Sequence, residues 1–99
     1  MYKIVFTSQF ESDLKKCKKK HWEMEAFIEA KNYLEKSDET PLPQSLGDHA
    51  LTGDKDRYRS LHINSKKNPK KNTWVLMYSA CEKTITLIRT GTHDEVYGK

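Results

Sequence analysis

Apolar and polar positions alternate at the start of the chain. Tyr2, Ile4 and Phe6 are interleaved with Lys3, Val5 and Thr7, the two-residue period of a strand with one strongly apolar face. The period then lengthens: Phe10, Leu14 and Cys17 recur at helical spacing. Ser8 precedes Glu11 by three residues, a capping-box pattern that predicts a helix beginning at Ser8. Trp22, Ala26, Phe27, Ala30, Tyr33 and Leu34 form a second stripe, predicting a helix over residues 21–36. Ser37, Asp38, Thr40, Pro41 and Pro43 end it in a turn-rich connection. The segment Leu46-Gly47-Asp48-His49-Ala50-Leu51-Thr52-Gly53 follows neither period and reads as a surface loop. Alternation returns over residues 57–63, with Tyr58, Ser60 and His62 on one side and Arg57, Arg59, Leu61 and Ile63 on the other. Residues 64–72 are a polar hairpin loop, residues 73–78 a further strand, and residues 80–83 a turn. The β-branched run Ile85, Thr86, Ile88 and Thr90 predicts a closing strand, after which Gly91 is expected to hinge a sharp turn that aims His93 and Tyr97 back across the sheet.

One strand, two helices and three strands in that order predict an α+β fold, with both helices on one face of a mainly antiparallel four-stranded sheet. The other face is left free to work. A chain of 99 residues with 35% hydrophobic content suits one domain spanning residues 1–99 and one modest core. The net charge of +4 points to a polyanionic partner, nucleic acid before an anionic membrane. The longest apolar run, residues 74–78, is far below the roughly 20 residues of a membrane span, so no membrane partner is expected. The start of the chain lacks an apolar signal-like segment, and Cys17 and Cys81 make no disulfide framework; a cytoplasmic location is expected.

The charge is concentrated in two lysine runs: Lys15, Lys16, Lys18, Lys19 and Lys20, then Lys66, Lys67, Lys70 and Lys71. Each reads either as a solvated face or as a surface that tracks phosphates. Of the four histidines, His21 falls at the joint between the predicted helices and reads as a junction residue. His93 follows the glycine of the closing strand, while His49 and His62 lie upstream in segments able to meet it. The spacings from His49 to His62 and from His62 to His93 match no compact zinc signature, so no metal and no cofactor are expected.

Asp48-His49-Ala50-Leu51-Thr52-Gly53, Tyr58-Arg59 with His62, Trp74-Val75-Leu76-Met77-Tyr78, and Arg89-Thr90-Gly91-Thr92-His93 ending in Tyr97-Gly98 resemble the YafQ branch of the RelE-type bacterial toxins. The resemblance spans nearly the whole chain. It implies a ribosome-dependent mRNA endonuclease neutralised by a cognate antitoxin in a hetero-oligomeric complex. It also implies that His49, His62 and His93 stand at active-site histidine positions and Tyr97 at a C-terminal aromatic position. Arg59 and Arg89 are the candidates for phosphate charge, with Tyr97 and the second lysine run as further RNA contacts. The chain departs from the family where an acidic residue is replaced by Ser60, and where another just before the tryptophan is replaced by Asn72-Thr73; Asp48 and Asp94 are the available substitutes.

The implied chemistry suits these residue types. Cleavage of RNA through its own 2′-hydroxyl needs one group to take that proton, another to protonate the leaving 5′-oxygen, and positive charge for the phosphorane. Imidazole, with an ordinary pKa of roughly 6.5, can begin either task at cellular pH. The alternative from another class is a non-catalytic RNA- or ribosome-binding homologue that serves as the antitoxin's partner in repressor assembly. Retention of the histidines favours the enzyme, because lysine or arginine would serve simple phosphate binding better.

Overall fold

A computed structural model of the chain describes residues 1–50, 58–63 and 74–97, apart from the side chains of Ser45, His49 and Ala50. The elements are β1 (Lys3–Phe6), α1 (Ser8–Lys19), α2 (Met24–Glu35), a 3₁₀ turn (Gln44–Leu46), β2 (His49–Ala50), β3 (Arg59–His62), β4 (Trp74–Cys81), β5 (Thr84–Thr92) and α3 (His93–Tyr97). Among the described residues the strands form one sheet in the order β1-β5-β4-β3-β2. β1 runs parallel to β5, and the other pairings are antiparallel. A parallel pair needs a crossover, and the rest of the chain supplies it between the first and last strands.

The α+β class, the helix pair and the mainly antiparallel sheet agree with expectation, but the sheet gains a fifth, two-residue strand. It falls on His49 and Ala50, within the segment expected to be a loop. Two residues are too few to display a period, so pairing with β3 decides their conformation rather than local pattern.

Helix α1 starts as expected at Ser8, but its cap is Thr7. The Thr7 hydroxyl accepts from the Phe10 N–H at 3.0 Å and donates toward the Leu87 and Ile88 carbonyls of β5. Such a cap contributes about 0.5–2 kcal/mol, and here it also fixes the helix to the sheet. Between the helices, His21 takes a left-handed conformation (φ 62°), which makes it the turning point of the junction. α2 buries Ala26, Phe27, Ala30 and Leu34, whereas Tyr33 from the expected stripe is exposed.

The principal core packs Phe10, Cys17, Phe27, Ala30 and Leu34 against Leu61, Ile63, Trp74, Leu76, Tyr78, Ile85 and Leu87. Phe6, Phe10 and Phe27 meet with centroid separations of 5.1–6.1 Å, and Trp22 lies against Trp74 at 5.1 Å. The buried Trp74 indole donates to Thr90 Oγ1 at 2.9 Å, and the Thr90 hydroxyl donates to the Val75 carbonyl, so these polar groups are satisfied inside the core. A register irregularity at Met77/Tyr78 interrupts the β4–β5 ladder. A second apolar cluster joins Val75, Met77 and Val96 with Tyr58, Ile88 and Tyr97, and this cluster seats α3 on the sheet.

Gly91 does not make the expected sharp turn. β5 continues through it to Thr92, and the change of direction comes with α3. Its φ of +143° nevertheless favours glycine, and a Cβ there would lie 2.7 Å from Glu95 Oε1. The glycine is therefore needed to admit the Glu95 side chain.

Candidate active site

The register of β3 distributes its side chains as the sequence predicted. Ser60 pairs with Met77 and His62 with Val75, which places them on the face that carries the second apolar cluster and α3. Arg59 pairs with Tyr78, and Leu61 with Leu76, on the face that carries the principal core.

On the first of these faces α3 presents His93, which is exposed, and Tyr97, one helical turn later. Their ring centroids are 4.5 Å apart and the rings are tilted by 51°. The Tyr97 phenol donates to Ser60 Oγ at 2.6 Å. Val96 is buried against Val75 and Met77, so an apolar anchor and a hydroxyl tether together fix a helix too short to stand alone. Ser60, where the family resemblance implied a carboxylate, thus holds the aromatic residue beside His93. His49 pairs through its backbone with Ser60, at the adjoining position of the ladder.

α3 is also tied from its outer side. The Glu95 N–H donates to Thr92 Oγ1 at 3.2 Å and the Thr92 N–H donates to Glu95 Oε1 at 2.9 Å, a reciprocal capping box. The Thr92 N–H, followed by Lys20 at 3.1 Å, holds the Glu95 carboxyl below its ordinary pKa. Thr92-His93-Asp94-Glu95 carries the sequence signature of this cap, three residues from threonine to glutamate.

Both candidate arginines are engaged in ion pairs. Arg89 Nε donates at 2.6 Å to Asp13, which is buried, and Arg89 Nη2 donates to the Glu95 carbonyl at 3.2 Å. Asp13 also accepts from the Thr90 N–H, so one carboxylate of α1 holds both the backbone and the side chain of β5. Arg59 grips Asp48 through Nε at 3.3 Å and Nη2 at 2.6 Å, and the Tyr78 phenol donates to the same carboxylate. The hydrogen bond to Asp48 raises the Arg59 pKa; burial, and then Asp48, raises that of Tyr78. Arg59 and Asp48 line a cleft of about 480 Å³ with Tyr2, Leu42 and Ile85, on the helix side of the sheet. The structure therefore groups Ser60, His62, His93 and Tyr97 on one face and places Arg59 on the other. Lys66, Lys67, Lys70 and Lys71 fall outside the described residues.

Of the carboxylates offered as substitutes, Asp48 belongs to the Arg59 clamp, while Asp94 is exposed in the first turn of α3. Among the described residues no group of three or more His, Cys, Asp and Glu side chains is arranged to hold a metal ion. Burial pushes the Cys17 thiol up to about 12, which leaves it a core residue rather than a nucleophile.

The chain as a whole has relatives among known proteins. The curated mRNA interferase toxin YafQ of Escherichia coli K12 is 30% identical over 95 residues, covering 96% of this chain and 95% of that protein. The toxin in a crystal structure of the E. coli DinJ-YafQ toxin-antitoxin complex is 30% identical, covers 98% of each chain and superposes with a TM-score of 0.80. A copper-bound mutant toxin from Helicobacter pylori is 27% identical, covering 97% of this chain and 99% of its own, with a TM-score of 0.81. A family model described as the bacterial toxin of type II toxin-antitoxin system, YafQ, matches residues 2–98, and the chain belongs to that toxin family.

Proposed function

We propose that this toxin is an mRNA endoribonuclease that cleaves message on the ribosome without a metal ion, and that His93 carries proton transfer together with His49 or His62. The observation that carries the reading is the single face of the sheet that bears Ser60, His62 and, on α3, His93 braced by Tyr97. In the step envisaged, one imidazole removes the 2′-hydroxyl proton and the 2′-oxygen forms a bond to phosphorus. The bond from phosphorus to the 5′-oxygen breaks, and a second, protonated imidazole supplies that oxygen with its proton. The products are a 2′,3′-cyclic phosphate and a 5′-hydroxyl. Tyr97 is suited to stack on a base, a contact worth about 1–3 kcal/mol in single-strand binders.

The name of the E. coli relative supports mRNA as substrate. The DinJ-YafQ complex supports a cognate antitoxin and a hetero-oligomeric assembly. Lys15, Lys16, Lys18, Lys19 and Lys20 are all exposed on and just after α1, which suits contact with the RNA backbone that weakens as salt rises. A toxin that acts on translating ribosomes would work in the cytoplasm; among the described residues no helix is long and apolar enough to cross a membrane.

The test is incubation with ribosomes stalled on a defined message, with and without a chelator, followed by mapping of both RNA ends. Cleavage to cyclic-phosphate and 5′-hydroxyl ends, unchanged by chelator, is expected. Abolition by chelator would replace this mechanism with a metal-dependent one. Ribosome binding without cleavage would make the chain a non-catalytic homologue.

A further inference from the structure

The clamp on Asp48 lies on the helix side of the sheet, yet its neighbours in the chain reach the histidines. Gly47 has φ +62°, and a Cβ built on it would lie 3.0 Å from His62 Nδ1, so the backbone at Gly47 backs directly onto that imidazole. His49 follows Asp48 and opens β2, with its Cα paired to Ser60. Asp48 itself is held by Arg59 of β3 and by Tyr78 of β4. The consecutive residues Gly47, Asp48 and His49 therefore touch one candidate catalytic histidine, receive the clamp, and supply the other.

We propose that Asp48 is a positioning residue for RNA cleavage, with Arg59 and Tyr78 as its anchors, and that it acts through His49 and His62. The inference rests on the catalytic reading of those histidines given above. Among the described residues β2 pairs with β3 through His49 opposite Ser60 and Ala50 opposite Arg59. Backbone pairing places a strand but does not by itself hold a side chain to within the roughly 0.5 Å that proton transfer requires. A carboxylate gripped by a two-pronged guanidinium and a largely buried phenol supplies the missing restraint one residue before the histidine. Arg59 is thereby given a task other than phosphate binding: its charge is matched by Asp48, and it faces the cleft on the helix side.

The test uses Tyr78→Phe and Asp48→Asn in the full chain, each measured as single-turnover cleavage of ribosome-bound mRNA across ribosome concentrations. Tyr78→Phe removes one hydroxyl and keeps the ring that fills the core. The saturating rate is expected to fall about 10- to 100-fold, the scale of a small misplacement of a catalytic group, with ribosome affinity unchanged. Tyr78→Phe is then combined with His49→Ala and with His62→Ala. Its penalty should shrink or vanish in a background that has already lost the histidine through which it acts.

Three results would overturn the proposal: an unchanged rate in both clamp variants, the same fold-loss in all backgrounds, or lost ribosome affinity at an unchanged saturating rate. The second would make the clamp merely structural, and the third would return Arg59 to phosphate binding. If neither His49→Ala nor His62→Ala slows cleavage, the catalytic reading of these two residues falls with the proposal. If they slow it and the clamp variants do not, the proposal alone is lost.

Discussion

The two arginine pairs and the histidine patch use polar residues in opposite ways. Arg89 is locked to a buried carboxylate of α1, and Arg59 to a carboxylate that is also bonded by Tyr78. His93 lies exposed beside an aromatic ring that is tethered by a neutral serine hydroxyl. Guanidinium cannot shed its proton in a protein, so where it is partly buried the fold must supply a carboxylate partner. Imidazole can both accept and donate a proton, so it serves proton transfer only where a substrate can reach it. Among the described residues, Arg59 and Arg89 are committed to ion pairs that hold the fold, whereas His93 is kept exposed.

Exchanging one residue from each region tests this division most severely. Asp13→Asn leaves Arg89 partly buried without its counterion and takes a carboxylate from the Thr90 N–H. A loss of about 3–5 kcal/mol in stability is expected from urea unfolding, as for other broken buried pairs. Asp48→Asn should cost less, because its pair has side-chain exposures of 18% and 42%, against 3% and 31% for Asp13 and Arg89. His93→Gln should change stability by no more than about 0.5 kcal/mol. It should nevertheless slow single-turnover cleavage by about 10²- to 10⁴-fold, the span of one general acid or base. Equal stability losses in Asp13→Asn and His93→Gln would erase the distinction between the regions.

The sequence made the division only half visible. Strand alternation placed Ser60 and His62 opposite Arg59 and Leu61, and β3 has that arrangement. The period of α2 likewise identified Ala26, Phe27, Ala30 and Leu34 as core. Periodicity describes a residue relative to its own element, and so it could not reveal that Asp13 of α1 meets Arg89 of β5, 76 residues away. Asp13 lies in a polar stretch, and nothing local marks it for burial. Arg89 and Arg59 suggest phosphate ligands in the sequence for the same reason: an arginine left free and one matched by an aspartate through the fold look alike there. Gly91 was legible as a conformational exception but not in kind, because its neighbour Glu95 is brought close by the helix that follows.

That glycine gives the next, smaller test. Gly91→Ala would place a methyl group 2.7 Å from Glu95 Oε1 in a backbone conformation that disfavours a side chain. A cost of about 1–3 kcal/mol is expected from the strain alone. Glu95 must also shift out of its cap with Thr92, so α3 should loosen and cleavage should fall along with stability. The readouts are urea unfolding and hydrogen exchange of the Glu95 amide, which donates to Thr92 Oγ1. A stable Gly91→Ala protein with undiminished protection of that amide would show that the cap does not depend on the glycine.

The smallest effect expected is one of pH, and it asks whether Glu95, only two residues from His93, belongs with the architectural charges. Its carboxylate accepts from the Thr92 N–H at 2.9 Å and meets Lys20 at 3.1 Å, and these contacts hold its pKa below the ordinary value. In the unfolded chain the group returns to about 4.3. Because the folded value is the lower one, the contribution is fully present above the unfolded pKa and is lost as pH falls from there through the folded pKa. Glu95→Gln keeps an oxygen able to accept from Thr92 but gives up the charge that meets Lys20. The stability advantage of the native chain over this variant should therefore hold steady near neutrality and shrink as pH is lowered below about 4.3. It should be modest throughout, because Glu95 and Lys20 are both substantially exposed and the pair is screened by water and salt. Urea unfolding of both proteins between neutral and acidic pH makes the measurement. A difference that stayed constant across that range would show that the carboxylate charge has no part in holding α3.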